Sequence, residues 1–383
     1  MDFVCKKDDL VFGVRLASYA LGTRSSMPVL SGMKMEIEKT VLRLHATDLE
    51  RAVHCEIPIE NKDDGESIVL NGAILSQIAS HLPEDERISL KSDAKDGAVV
   101  KLRCGEASFD LPTLPVEDYP QLPPLPETRV ATLATAKLHR GLEQTAFATL
   151  KAGETTRLSL TGVNIVLKKD QVRLVATNGY RLAMKAIEPE TIHEEAEYLI
   201  EAGVLIDLDR VLSQIGEDTV ELFAGDGQVF FQSGGVIFAA KTIAEEFPDF
   251  DRVIPKENPI ALAFDRQALL STLQRMEITA AEESNAVTVR ATPEESAIRI
   301  NSSSKEKGEA EERVRLGKVP SAPIEITFKA EYLIDALKRM ASNQITLWLS
   351  AAEKAGLIEP SGDTIDPLDE GFLYVCMPVR LGS

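Results

Sequence analysis

The sequence predicts an α+β protein built from three similar domains, each with two helices packed on antiparallel sheets. Three observations carry that expectation. One order of elements recurs three times over the 383 residues. One strand in each copy carries the same short tag, with arginine in the same place. Two proline-rich stretches divide the copies.

Each copy opens with an amphipathic helix. Leu10, Val14, Ala17 and Leu21 fall at helical spacing in the first copy. Leu138, Leu142, Ala146 and Thr149 do so in the second, where Thr135 is a candidate cap. In the third, Asp265 is placed to cap a helix whose Leu269, Leu273 and Met276 face inward. A strand, a turn and a second strand follow. That second strand reads LRLHATD (42–48), VRLVATN (172–178) and AIRINSS (297–303), which aligns Arg43, Arg173 and Arg299. Alternate residues such as Val172, Leu174 and Ala176 are apolar, so each sheet has a face for helices to cover.

A second helix spans residues 71–83, 203–216 and 329–341, running into strands at 88–90, 220–222 and 345–347. Two copies then show a hairpin, over 101–111 and 229–243, with Gly105 and Gly234 at the turns. The third has a long polar interruption over 351–370 before the closing strand FLYVCMPV (372–379). PTLPVEDYPQLPPLPE (112–127) and EEFPDFDRVIPKENP (245–259) fix extended connections. The expected domains are therefore 1–128, 129–259 and 260–383.

Composition bounds the function. Net charge is −19, which argues against a surface that grips nucleic acid through phosphates. A protein that surrounds DNA without gripping it escapes that argument, since it needs positive potential on an inner wall alone. No run of about 18 apolar residues exists, so no membrane span is expected. The start MDFVCKKDDL lacks the features of a signal peptide. Cys5, Cys55, Cys104 and Cys376 stand apart, in no ligand spacing, and a reduced cytoplasmic protein is expected.

An enzyme is the rival class. His45, His54, His81, His139 and His193 stand in no catalytic spacing with Cys, Ser or Asp. GxGxxG, P-loop and HExxH patterns are missing from the sequence. Acidic runs at Glu282-Glu283 and Glu309 to Glu312 read as solvated loops. The expectation is no catalytic residue, no metal and no cofactor. A second rival is a repeated scaffold that binds peptides and not DNA.

Several segments together resemble the beta subunits of bacterial DNA polymerase III, the sliding clamps. They are LGTRSSMPVLSG (21–32), TLP (113–115) before DYP (118–120), ATNGYRLAM (176–184), EFPDFDRVIP (246–255) and YVCMPVRL (374–381). Each is weakly specific alone, but their order spans the whole chain. The resemblance implies a DNA clamp fold in which each chain forms half of a ring, and a head-to-tail homodimer that encircles double-stranded DNA. Its implied partners are the polymerase III catalytic subunit, the clamp loader and other proteins carrying the clamp-binding motif.

The resemblance also implies site residues. A peptide-binding groove between the second and third domains would use Leu160, Thr177, Gly179, Tyr180, Arg181, Leu182, Pro248, Arg252 and Val253. Val375, Met377, Pro378, Val379 and Arg380 would close it. Met377, Val253 and Leu182 suit Leu or Phe anchors, and Arg181 and Arg252 would orient polar groups. Candidate DNA contacts are Arg24, Lys137, Arg140, Arg210 and Lys338. The dimer seam would pair the strand holding Phe109 and Leu111 with the third domain near Glu295 to Ser304, beside Ile278. Two departures touch the DNA contacts: Leu158 and Ser159 replace a tyrosine pair of the family, and Ala202 and Gly203 replace a basic pair. The family often has histidine where Tyr180 stands, so the groove's rim differs here.

Overall fold

One succession of ten elements builds each third of the chain: strand, helix, three strands, strand, helix, three strands. The first third runs β1 (Asp2–Lys6), α1 (Lys7–Ser18), β2 (Gly32–Glu38), β3 (Val41–Thr47), β4 (Arg51–Pro58), the two-residue β5 (Glu60–Asn61), β6 (Ser67–Asn71), α2 (Gly72–His81), β7 (Arg87–Ser92), β8 (Val99–Cys104) and β9 (Ala107–Leu114). The second runs β10 (Arg129–Ala134), α3 (Thr135–Thr145), β11 (Gly162–Lys168), β12 (Gln171–Thr177), β13 (Arg181–Ile187), the short β14 (Thr191–Ile192), β15 (Ala196–Glu201), α4 (Ala202–Ile215), β16 (Thr219–Gly225), β17 (Gln228–Ser233) and β18 (Val236–Lys241). The third runs β19 (Ile260–Asp265), α5 (Arg266–Thr279), β20 (Ala286–Ala291), β21 (Ala297–Ser304), β22 (Gly308–Arg315), β23 (Ile324–Lys329), α6 (Ala330–Lys338), β24 (Gln344–Leu349), β25 (Gly356–Ser361) and β26 (Phe372–Cys376). This computed structural model describes residues 1–22, 27–61, 65–83, 87–92, 99–121, 123–281 and 284–379.

Each copy makes two four-stranded antiparallel sheets. They are β6-β2-β3-β4 with β9-β8-β7-β1, β15-β11-β12-β13 with β10-β16-β17-β18, and β23-β20-β21-β22 with β19-β24-β25-β26. The chain packs as two compact units: residues 1–135 with 203–242, and 136–202 with 243–383. The middle copy is shared because each of its sheets continues into a neighbour. In the first unit β18 pairs with β4, from Val236↔Cys55 to Ala240↔Arg51. In the second, β13 pairs with β26, from Arg181↔Cys376 to Lys185↔Phe372. One rule serves both junctions: the last strand of a copy adds to the fourth strand of the copy before it.

Helices lie on these sheets at close range where glycine permits it. Gly13 of α1 faces Leu44 of β3, and Gly141 of α3 faces Leu174 of β12. A Cβ at either glycine would stand 2.6 and 2.9 Å from the leucine's terminal methyl, so a larger residue would force the leucine or the helix to shift. Asp265 caps α5 by accepting from the Ala268 amide at 2.8 Å, as expected. Thr135 does not cap α3: its hydroxyl is buried without a partner. The Thr135 amide donates to the Asp218 carbonyl instead.

The structure corrects the sequence reading in four further places. Each copy opens with a strand (β1, β10, β19) ahead of its helix, short alternations that run straight into the helix start. The polar interruption at 351–370 holds β25, whose Leu357 and Ile358 are buried between β24 and β26. The closing strand ends at Cys376, and Met377 to Val379 are extended but outside the sheet. Finally, β21 is no edge: β22 and β20 flank it, so the open edge beside it belongs to β22.

Candidate functional site

The turn before β13 throws one side chain out and draws the next ones in. Thr177 Oγ1 donates to the Arg181 carbonyl at 2.7 Å and accepts from the Gly179 amide at 3.0 Å. Asn178 Oδ1 accepts from the amides of Tyr180 and Arg181 at 2.9 and 3.0 Å. Gly179 sits at φ 88° with open space around it, a backbone conformation suited to glycine. Tyr180 is left 66% exposed, while Leu182 is buried.

Leu182 joins Val166, Val175, Phe250, Leu357 and Val375 in an apolar cluster against which Phe247, Ile254, Trp348 and Leu373 pack. Exposed apolar side chains stand on the segments bordering it: Tyr180, Val253, Met377 and Leu158. The chain end is held in place, since the Met377 amide donates to the Tyr180 carbonyl and the Val379 amide to the Thr327 carbonyl, each at 2.8 Å. Leu160 and Thr177 are buried, Pro248, Pro378 and Val379 half-buried. Arg252 is the exposed cation of this border, paired with Asp249 at 2.7 Å. Arg380 lies outside the described residues. The result is an apolar floor bordered by exposed and half-buried residues.

Arg181 takes a different place from the one expected. It is 9% exposed and lies between rings, 4.5 Å from that of Tyr332 and 5.3 Å from that of Phe147. Its guanidinium donates to Asp335 Oδ2 at 2.7 Å and to the Phe147 carbonyl at 2.6 Å. It therefore fixes β13 against α6 from beneath and has little reach to orient a ligand. Trp348, Leu357 and Leu373 were missed by the sequence reading. Strand register alone brings them to the floor, and no local motif marks them.

The basic candidates divide. Arg140 is spent inside the protein, bonded to the carbonyls of Leu368 and Arg339 and to Asp369. Its reading as a DNA contact is corrected on that ground: with Glu143 as a further acceptor at 2.6 Å, the guanidinium is drawn inward and has little donor capacity left for a phosphate. Lys137 is half-exposed and bonded to the Glu188 carbonyl at 3.2 Å. Arg210 is exposed but paired with Asp207 at 2.8 Å, and Lys338 is exposed in the last turn of α6. Arg24 lies outside the described residues.

For the seam, Phe109 is half-buried and Leu111 buried on β9, and Ile278 is 69% exposed near the end of α5. Beyond Pro112, β9 pairs with β6 at Thr113 and Leu114, leaving the 107–111 edge open on that side. No group of three or more metal-ligating side chains occurs among the described residues. No helix there is long and apolar enough to cross a membrane.

Models of the N-terminal, central and C-terminal domains of the DNA polymerase III beta subunit match residues 1–123, 132–249 and 251–380. The chain is 27% identical to the beta sliding clamp of Synechococcus elongatus, with all of both chains covered. It is 26% identical to that of Staphylococcus aureus, with 99% of each covered. Solved structures of the DNA polymerase III subunit beta of Pseudomonas aeruginosa and the sliding clamp of Bacillus subtilis superpose with TM-scores of 0.91 and 0.90, each at 26% identity over all of both chains. Three consecutive domain models in order, over an architecture shared end to end, leave one conclusion: the chain belongs to the DNA polymerase III beta subunit family.

Proposed function

We propose that this chain is a non-catalytic processivity clamp of the cytoplasm, which closes into a homodimeric ring around double-stranded DNA. It holds the polymerase III catalytic subunit, the clamp loader and other clamp-binding proteins by short peptides. The observation that carries the reading is the junction rule. The last strand of the second copy adds to β4, and the last strand of the third adds to β13. Applied once more, the rule leaves the last strand of the first copy, β9, and the fourth strand of the third, β22. These are the two ends of the series, and the first end of one chain can pair with the second end of another. Phe109 and Ile278 then supply apolar contact at the seam. A ring held this way stays on DNA by topology, which agrees with an acidic chain whose inner cations make few phosphate bonds.

The three expected domains, 1–128, 129–259 and 260–383, are the units repeated in that ring. The groove bordered by Tyr180, Val253 and Met377 is the peptide site, with Leu160, Thr177, Leu182, Pro248, Val375, Pro378 and Val379 shaping it. Lys137, Arg210, Lys338 and Arg24 remain the candidate cations for the DNA face.

Two measurements test the reading. Loader-treated protein should be retained on circular DNA and released when the circle is cut; equal retention on linear DNA would defeat the ring. A labelled QLxLF-type peptide should bind, and removing residues 377–383 should abolish binding while thermal unfolding stays cooperative. Undiminished binding by the truncated chain would remove the groove assignment.

A further inference from the structure

The junction of the first and second copies repeats, position for position, the scaffold of the groove just described. Thr47 Oγ1 donates to the Arg51 carbonyl, and Asp48 Oδ1 accepts from the amides of Glu50 and Arg51. Arg51 pairs with Asp207 of α4, as Arg181 pairs with Asp335 of α6. Strand register matches Ala52 to Leu182, Ala239 to Val375, Phe230 to Leu357 and Phe223 to Trp348. Those four form an apolar cluster of their own, with Leu125 and Ile237 packed against it. A cavity of about 200 Å³ opens beside it, so the floor has room for a large side chain.

The lips differ. Where the second junction has exposed Tyr180 and Met377, the first has Glu50 and Lys241. The backbone bond is the same, the Lys241 amide to the Glu50 carbonyl at 2.8 Å. Above it the two side chains form an ion pair at 3.0 Å.

We propose that these lip residues decide which junction takes a peptide: Tyr180 with Met377 open one groove, and the Glu50–Lys241 pair closes its counterpart. The inference rests on the peptide-binding reading above. A peptide laid across Tyr180 and Met377 covers mostly apolar surface and desolvates no charge. The same peptide over Glu50 and Lys241 must strip water from two charges or part them, and no group on an apolar anchor repays that. Floor and turn correspond position by position and the floor is apolar at both junctions, so the charged lip is the difference to which the selectivity of this chain for one site is assigned.

Calorimetric titration of the full-length protein with a QLxLF-type peptide tests it. The wild type should bind one peptide per chain. E50Y/K241M should bind two, the second within about tenfold of the first, and Y180E/M377K should lose binding at least tenfold. Both substituted pairs are more than one-third exposed, and an exposed ion pair contributes little to folding, so all variants should melt like the wild type. One peptide per chain for both the wild type and E50Y/K241M would overturn the lip assignment while leaving the groove reading intact, as would two for the wild type. No binding to the wild type would sink both.

Discussion

Leu49 holds a φ of 77° in a turn where the second copy places Gly179 at 88°. The two turns share their hydrogen bonds, so the leucine accepts strain that the glycine avoids. Gly179→Ala should therefore cost about 1 kcal/mol although its Cβ would meet nothing, and Leu49→Gly should cost nothing or stabilise slightly. Urea midpoints of both variants check this. His45 offers a second residue-scale test. It faces His54 across β3 and β4, Nδ1 to Nδ1 3.0 Å apart. Burial first, then His54, Lys34 and Arg43, push its pKa from 6.5 down to about 3. The unfolded chain takes up this proton and the folded chain does not, so stability present above pH 6.5 is lost as pH falls toward 3. Val175 stands at the matching position of the second copy, and His45→Val should reduce the loss between pH 7 and pH 5 by about 1–2 kcal/mol. An unchanged acid slope in the variant would refute the assignment.

At the scale of elements, a single carboxylate ties three of them together. Asp369 is fully buried in the turn Pro367–Asp369 before β26. It accepts from Arg140 and Gln144 of α3 at 2.9 and 2.8 Å, and from the amides of Ala341 and Ser342 beyond α6 at 2.9 and 2.7 Å. Burial acts to raise its pKa, but the bonds from Ser342, Arg140 and Ala341 hold it below the ordinary value. Its stabilisation is therefore present above pH 3.8 and lost as pH falls through its lower folded value. Asp369→Ala leaves the amides of Ala341 and Ser342 without their acceptor and Arg140 with Glu143 alone as its anion, and should cost about 3 kcal/mol, read as a lowered unfolding midpoint. None of this was legible in the sequence, where Asp369 is one acid in a polar stretch. The six helices and the tagged strands were legible, because Leu, Val and Ile at periods of 3.6 and 2 report burial directly. β25 was not, because its two buried apolar side chains, Leu357 and Ile358, make too short a pattern among polar neighbours. The exposed residues of the groove were named by the resemblance, but its floor depends on pairings such as Trp348↔Leu357 that no local period encodes. Arg140 and Arg181 misled for a related reason: arginine in a sequence reads as surface charge, and here each is consumed by buried acceptors.

For the whole molecule, the proposed ring would close by the same main-chain pairing as the two junctions inside the chain, but without a covalent connection. The internal junctions add ion pairs to the strand pairing, Arg51–Asp207 in one and Arg181–Asp335 in the other. In the third copy the tag continues Ser303-Ser304-Lys305-Glu306-Lys307, so Lys307 stands where the other copies have Arg51 and Arg181, its amide donating to Ser304 Oγ at 2.9 Å. A lysine lacks the planar two-pronged donor with which Arg51 and Arg181 lock the other two junctions, so the seam would depend more heavily on apolar contact. Ile278, 69% exposed on the helix that packs over β22, is the residue placed to provide it. Ile278→Asp should weaken the dimer at least tenfold, since an aspartate buried against Phe109 would have no partner. Light scattering during gel filtration should then find a mass near 41.9 kDa at concentrations where the wild type runs at twice that value. Because α5 packs chiefly on β21 and β22, in a different sheet from the groove strands β13, β26, β25 and β24, the monomeric variant should keep wild-type affinity for a QLxLF-type peptide while losing retention on circular DNA. A variant that remained dimeric would move the seam elsewhere, and one that lost peptide binding as well would mean that the groove needs the closed ring.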